Sequence, residues 1–184
     1  MEYGRLKKLV AAIDRVTALA WKIVCWTTLI MVLVGSFNAL ARYGGDFLGV
    51  QLSSNAYLEL QWYLFGVVFL IGAAPTLKQD GHVRVDVIYS RLSDRRKAWV
   101  NLIGAALFVI PFCLMMLWAT WHTVWNSWAG LEWSSNSDGL PRYPIKSILP
   151  ISFVLLLAQG FASAIRQIIF LRRDSSPVNR ESDA

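Results

Sequence analysis

Four apolar stretches, each long enough to cross a lipid bilayer, account for most of the 184 residues of this chain. A helix rises about 1.5 Å per residue and the hydrocarbon core of a bilayer is about 30 Å thick, so about 20 apolar residues make one crossing. The predicted spans cover residues 19–41, 57–77, 99–121 and 148–171. Since little chain remains for a soluble domain, the sequence predicts an all-α membrane protein that works in or at a membrane.

The basic residues predict how the spans are oriented. Of the 18 Lys and Arg residues, only Arg42, Arg142 and Lys146 lie in the connections after the first and the third span. Basic residues concentrate on the cytoplasmic side of membrane proteins, so both termini are predicted to be cytoplasmic. The formal net charge of +6 then reflects topology and contact with anionic membrane lipids, and it does not indicate a nucleic-acid partner.

The two ends of the chain flank the membrane domain of residues 19–171. Residues 1–20 have an amphipathic period that favours a helix lying in the headgroup plane before the chain turns into the first span. The alternative is a first span that begins early and continues straight. Residues 172–184 are polar, and we expect a disordered cytoplasmic tail. The first span itself is longer than a signal-peptide core, so we expect it to be retained.

Tryptophans mark the outer end of the third span. Trp118, Trp121, Trp125 and Trp128 are three, four and three positions apart, which places them on one stripe of a helix. One interpretation is an aromatic belt at the outer membrane interface. The other is a packing ridge for a partner protein, because four indoles exceed what one anchor requires.

Polar residues suggest three further contact regions. Glu59 and Gln61 lie beside Trp62 near the outer end of the second span, and Glu59 either ties the chain to a partner or faces headgroup water. His82, Arg84 and Asp86 form either a solvated loop or a structured cytoplasmic elbow between the second and third spans. Four charged residues of the outer connections are candidates for contact with a partner on that side of the membrane: Arg42, Asp138, Arg142 and Lys146.

The chemistry of an enzyme is not evident. The two histidines, His82 and His122, are predicted on opposite sides of the membrane, and neither can assist the other in catalysis or in haem ligation. The central thirds of the spans contain no Asp, Glu, Lys or Arg, whereas a solute pathway usually places ionisable groups there. We therefore predict neither a catalytic residue, a metal site nor a cofactor. A self-sufficient small exporter and the membrane anchor of a respiratory enzyme are the alternatives to a partner-binding subunit.

Five segments of the chain are distinctive: residues 38–42 (NALAR), 59–65 (ELQWYLF), 82–91 (HVRVDVIYSR), 139–146 (GLPRYPIK) and 157–160 (LAQG). Together they resemble the small membrane subunit of TRAP transporters, the DctQ-type subunit of tripartite ATP-independent periplasmic systems. The resemblance covers about residues 5–172. The loop at 139–146 is similar to the branch associated with mannitol or chloroaromatic compounds.

This resemblance implies a division of labour in the bacterial inner membrane. A periplasmic protein captures the solute, often an organic acid. A large membrane subunit carries the solute and sodium ions by an elevator movement, so sodium coupling is expected in that subunit. The small subunit has four helices, packs against the large one as a scaffold, and offers a docking surface to the periplasmic protein. The large subunit, the solute-binding protein and membrane lipids are the expected partners.

Overall fold

The chain is almost entirely helical in a computed structural model that describes residues 2–50, 52–79, 89 and 91–174. Its helices are α1 (Glu2–Leu48), α2 (Asn55–Lys78), α3 (Asp94–Ile103), α4 (Ile110–Ala129), α5 (Tyr143–Lys146) and α6 (Ile148–Asp174). A π-helical turn over Gly104–Val109 joins α3 and α4 into one continuous third span. Within the described part of the chain, four helical stretches are long and apolar enough to cross a membrane, which confirms the predicted number of spans.

The first helix is longer at both ends than its predicted span. α1 runs without interruption through 47 residues, about 70 Å at 1.5 Å per residue, and so does not separate residues 1–20 from the first span. The sequence contains no proline before Pro75, and nothing else in α1 interrupts its hydrogen bonds. α1 ends at Leu48 instead of residue 41, because Gly49 takes a left-handed φ of 68° and Val50 N–H bonds back to the carbonyl of Gly45.

The core lies where α1, α2 and α6 meet. Ala20, Val24 and Ile71 are buried together, and the residues packed around them are Val67, Val68, Ile148 and Leu155. α1 and α2 are antiparallel, since Phe37 lies edge-on to the ring of Tyr57 at one end and Lys78 reaches Asp14 at the other. We call the end with Tyr57 the loop end and the end with Asp14 the tail end.

The third span is attached differently. Among the described residues, α6 is its one extensive long-helix neighbour, whereas α1, α2 and α6 all pack on one another. In the most apolar window of each membrane-length helix, at most 28% of the residues are buried. Most of the apolar surface therefore faces outward, and one side of the third span has no protein neighbour among the residues that the structure describes.

Proline explains the π-helical turn. Pro111 has no N–H, and its ring crowds the carbonyl four residues earlier, which disturbs the α-helical ladder at that point. The chain responds by widening, so that the N–H of Ile110 bonds to the carbonyl of Ala105, five residues back. Pro75 lies within the last turn of α2, and Pro150 lies in the first turn of α6.

Candidate functional site

A buried carboxylate at the loop end organises the longest connection of the chain. Glu59, in the second turn of α2, is only 4% exposed. Its Oε1 accepts hydrogen bonds from the Ser134 hydroxyl and from the Asn136 amide nitrogen, the latter at 2.8 Å, and its Oε2 accepts from the backbone N–H of Leu140 at 2.7 Å. Both oxygens of Glu59 are thus engaged by the loop between α4 and α5, and its contact with a partner stays a prediction.

The loop itself is folded as a short hairpin. Ser134 N–H donates to the carbonyl of Leu140 at 3.2 Å, and Arg142 N–H donates to the carbonyl of Glu132 at 2.8 Å. Gly139 lies against both the Ser134 side chain and Glu59 Oε2, so a side chain at this position would collide with the network. The hairpin therefore places its donors where the carboxylate of Glu59 needs them.

A second carboxylate holds the base of this hairpin. Glu132 forms an ion pair with Lys146 and accepts a hydrogen bond from the Ser127 hydroxyl at 2.7 Å. These contacts, that of Lys146 first and that of Ser127 second, hold the pKa of Glu132 below its ordinary value. The ion pair therefore links the end of the third span to the start of the fourth.

Two of the four predicted docking residues belong to this network. Lys146 is paired with Glu132, and a guanidinium nitrogen of Arg142 lies 3.5 Å from the Ser134 hydroxyl. The other two, Arg42 and Asp138, line a separate open cleft of about 750 Å³ between α1 and the tip of the hairpin. The rest of its lining is mostly polar: Asn38, Leu52, Ser53, Ser54, Asn55, Tyr57, Leu58 and Ser137. Of the four residues, Arg42 and Asp138 share an open cleft, and Arg142 and Lys146 contact the hairpin network.

The four tryptophans of the predicted stripe also differ in their surroundings. Trp118, Trp121 and Trp125 are 83%, 65% and 67% exposed, so these three indoles project from the third span. Trp128 instead donates its indole N–H to the Ser147 hydroxyl at 2.7 Å and packs edge-on against Tyr143, with ring centroids 4.7 Å apart. Trp118, Trp121 and Trp125 are the most exposed of the four, and Trp128, at 47% exposed, also stabilises the chain's own loop.

The remaining predicted contact residues lie apart from one another. The Gln61 amide packs directly over Gly35 of α1, so Gln61 serves the contact between α1 and α2. Trp62 is 70% exposed on α2. His82, Arg84 and Asp86 lie outside the described residues, and their role as a cytoplasmic elbow stays a prediction.

Two polar contacts that sequence reasoning missed join α1 to other spans. At the tail end, Asp14 lies 3.1 Å from a guanidinium nitrogen of Arg166 and 3.8 Å from Lys78 Nζ, so one carboxylate links three helices. Deeper in the bundle, the hydroxyl of Thr17 donates to Gln159 Oε1 at 2.8 Å, and both residues are buried. The sequence shows that Asp14 and Thr17 are polar. Their partners on α6 can be assigned only once the alignment of α1 with α6 is known.

Four membrane-length helices, with the described ionic contacts at their two ends, define a multi-pass helical membrane protein. Residues 31–170 match the family described as "Tripartite ATP-independent periplasmic transporters, DctQ component", and the chain belongs to this family. It is therefore the small membrane subunit of a TRAP transporter and not an enzyme. The matched range includes Glu59, the hairpin and the exposed tryptophans. No curated protein matches the chain significantly.

Proposed function

We propose that this subunit braces the large membrane subunit of a sodium-driven TRAP uptake system through the free side of its third span. The observation that carries the proposal is that α6 is the one long helix of the described chain that packs extensively on that span, with Trp118, Trp121 and Trp125 exposed. The system would lie in the bacterial inner membrane and take up organic acids or similar solutes, with sodium coupling in the large subunit. The loop end would face the periplasm, and both termini the cytoplasm.

The shape of the exposed side suits a partner helix. Trp118 and Trp121 flank an apolar groove of about 530 Å³ whose far wall includes Pro150 and Val154 of α6. Helices in a membrane associate through close van der Waals packing, because lipid tails are as apolar as the side chains they touch. Large rigid indoles beside a groove provide the contact area and the surface shape that such packing requires.

Copurification with the large subunit tests this interface. A triple variant with Trp118, Trp121 and Trp125 replaced by alanine should lose most of the copurified partner, because it removes the ridge of the proposed interface. The matched control replaces Trp21 and Trp26 by alanine, since both are exposed on α1, which is away from the groove. Wild-type copurification by the triple variant, or an equal loss by the control, would overturn the proposal. Monodispersity in detergent verifies that each variant is folded.

We also propose that the cleft holding Arg42 and Asp138 docks the periplasmic solute-binding protein. The described residues provide no ion pair for either charge, so both are free to meet complementary charges on a partner. Complementary charges at an open surface mainly raise the association rate, and they do so most at low salt. Arg42→Glu should therefore slow association and weaken its salt dependence, whereas Arg95→Glu, at the tail end, should change neither. An unchanged rate for Arg42→Glu at low salt would remove the cleft from the docking surface.

Reconstitution separates this function from a self-sufficient exporter. Liposomes containing the small subunit alone should move no solute, and those containing both membrane subunits should take it up when the binding protein and a sodium gradient are supplied. Transport by the small subunit alone would refute the bracing role.

A further inference from the structure

A small cavity at the tail end combines positive charge with an apolar wall. It has a volume of about 250 Å³ and lies between α1 and α6, on the N-terminal side of the cluster of Ala20 and Val24 along α1. Its lining residues are Lys7, Val10, Ala11, Asp14, Arg166 and Ile169. None of the features of the loop end contributes to it.

The positive charge of this cavity is only partly neutralised. Arg166 uses a single guanidinium nitrogen, Nη1, for both oxygens of Asp14, at 3.2 and 3.1 Å, and its other N–H groups have no partner among the described residues. Lys7 is exposed and likewise forms no ion pair within the described part of the chain. Asp14 is also approached by Lys78, so three basic groups surround one acid. This excess of basic over acidic groups favours the binding of an anion.

The apolar side chains decide which anion fits. Val10, Ala11 and Ile169 form the wall next to the basic groups, and Val10 is only 9% exposed. A free inorganic anion would lose hydration against this wall and gain nothing from it. A lipid phosphate, in contrast, brings its own glycerol and acyl chain to such a surface.

We propose that this cavity is a binding site for an anionic phospholipid, with the phosphate held by Lys7 and Arg166 and the first part of an acyl chain against Val10 and Ile169. The cavity lies at the depth expected of lipid headgroups. Lys78 is the last residue of α2 and so marks the end of a span, and its ammonium group reaches Asp14 in the cavity lining. Basic pockets between membrane helices on the cytoplasmic side are a recurrent form of lipid recognition. Guanidinium groups also bind phosphate with two parallel hydrogen bonds.

Native mass spectrometry of the full chain, titrated with phosphatidylglycerol or phosphatidylethanolamine, tests the site. The chain should retain phosphatidylglycerol in preference to phosphatidylethanolamine. Lys7→Gln should weaken phosphatidylglycerol binding about fivefold, the usual effect of one basic residue at a membrane surface. Arg166→Lys keeps the charge next to Asp14 but loses the planar fork, and it should also weaken binding. The matched control is Lys8→Gln, since Lys8 is exposed and adjacent in sequence but does not line the cavity.

Three results would overturn the proposal. Equal weakening by Lys8→Gln would show that the lipid responds to overall charge and not to this cavity. Equal retention of the two lipids would show that the headgroup charge is not recognised. Displacement of phosphatidylglycerol by millimolar inorganic phosphate would assign the site to a free anion. If Lys7→Gln is as thermally stable as Lys8→Gln, a folding defect is excluded as the cause of weaker phosphatidylglycerol binding.

Discussion

The carboxylate of Glu59 accepts a hydrogen bond from the backbone N–H of Leu140 at 2.7 Å and so joins α2 to a residue 81 positions later in the chain. The Ser134 hydroxyl and the Asn136 amide donate to the other oxygen of the same carboxylate. An ionised carboxylate has only acceptor sites, and it suits a loop that presents only donors. Glu59 therefore acts as the fixed point on which the hairpin between the third and fourth spans is folded.

Replacing Glu59 by glutamine should loosen this hairpin. The amide has one donor end, which would face either the N–H of Leu140 or the donors of Ser134 and Asn136, and two donors cannot satisfy each other. We expect faster hydrogen exchange of the Leu140 amide, with α6 unchanged. Asp46→Asn is the control, because Asp46 is an exposed acid at the same end of the molecule and lies outside the network. Unaltered exchange at Leu140 in Glu59→Gln would show that the hairpin folds without the carboxylate.

The spans and their order are predictable from the sequence because they depend on local composition. The number of apolar residues in a row sets the length of a crossing, and each of the four runs does so independently of the others. The partners of Glu59 are a different matter, since they lie 75 to 81 positions away and meet it only after two spans have packed. A carboxylate near the end of a span is equally compatible with a solvated position and with a buried, hydrogen-bonded one. The sequence alone does not distinguish the two.

Pairing between helices escaped prediction for the same reason. Gln61 is polar and close to a membrane interface, which suggests an outward-facing group, but its amide lies over Gly35 of α1. The absence of a side chain at Gly35 creates the space for it. The match between Gln61 and Gly35 becomes visible only when the register of α1 against α2 is known. That register is set by many apolar contacts together and not by any single residue.

Asp14→Asn should lower thermal stability, because it removes the charge that joins Arg166 and Lys78 to α1. The side chain of Asp14 is 26% exposed, so the loss should be about 1 kcal/mol, near the upper end for partly exposed ion pairs. The matched control is Asp94→Asn, which breaks the pair with Lys97 on the surface of α3, where the Asp94 side chain is 84% exposed. That change should cost about 0.3 kcal/mol. Equal losses of Tm for the two variants would contradict a bridging role for Asp14.

Gln159 offers a test of how much a buried polar contact contributes within the bundle. It is fully buried, its Oε1 accepts the Thr17 hydroxyl, and its Nε2 has no hydrogen-bond partner in the described part of the chain. Gln159→Leu keeps most of the volume and removes the unpaired amide nitrogen, and Thr17 can then bond to a carbonyl of its own helix. We expect a change in unfolding free energy below about 1 kcal/mol, since hydrogen bonds between membrane helices average about 0.6 kcal/mol.

Gln159→Ala should behave differently, because it leaves a cavity where α1 meets α6. Truncation of a large buried side chain to alanine costs about 2–5 kcal/mol. Unfolding in mixed micelles measures both variants against the wild type. Equal losses for the two variants would show that the hydrogen bond, which both of them remove, and not the packing, is what stabilises this contact.

The ion pair between Glu132 and Lys146 should make the loop end sensitive to acid. The partners of Glu132 hold its pKa below the ordinary value of 4.5, so its contribution to stability is complete above pH 4.5 and is lost as the pH falls through the lower folded value. We therefore expect the difference in Tm between the wild type and Glu132→Gln to be largest near neutral pH and to shrink below pH 4.5. Asp46→Asn, measured across the same pH range, accounts for the general effect of removing an acid. A difference that grows as the pH falls would mean that Glu132 is stabilised in its protonated form, opposite to the contacts it makes with Lys146 and Ser127.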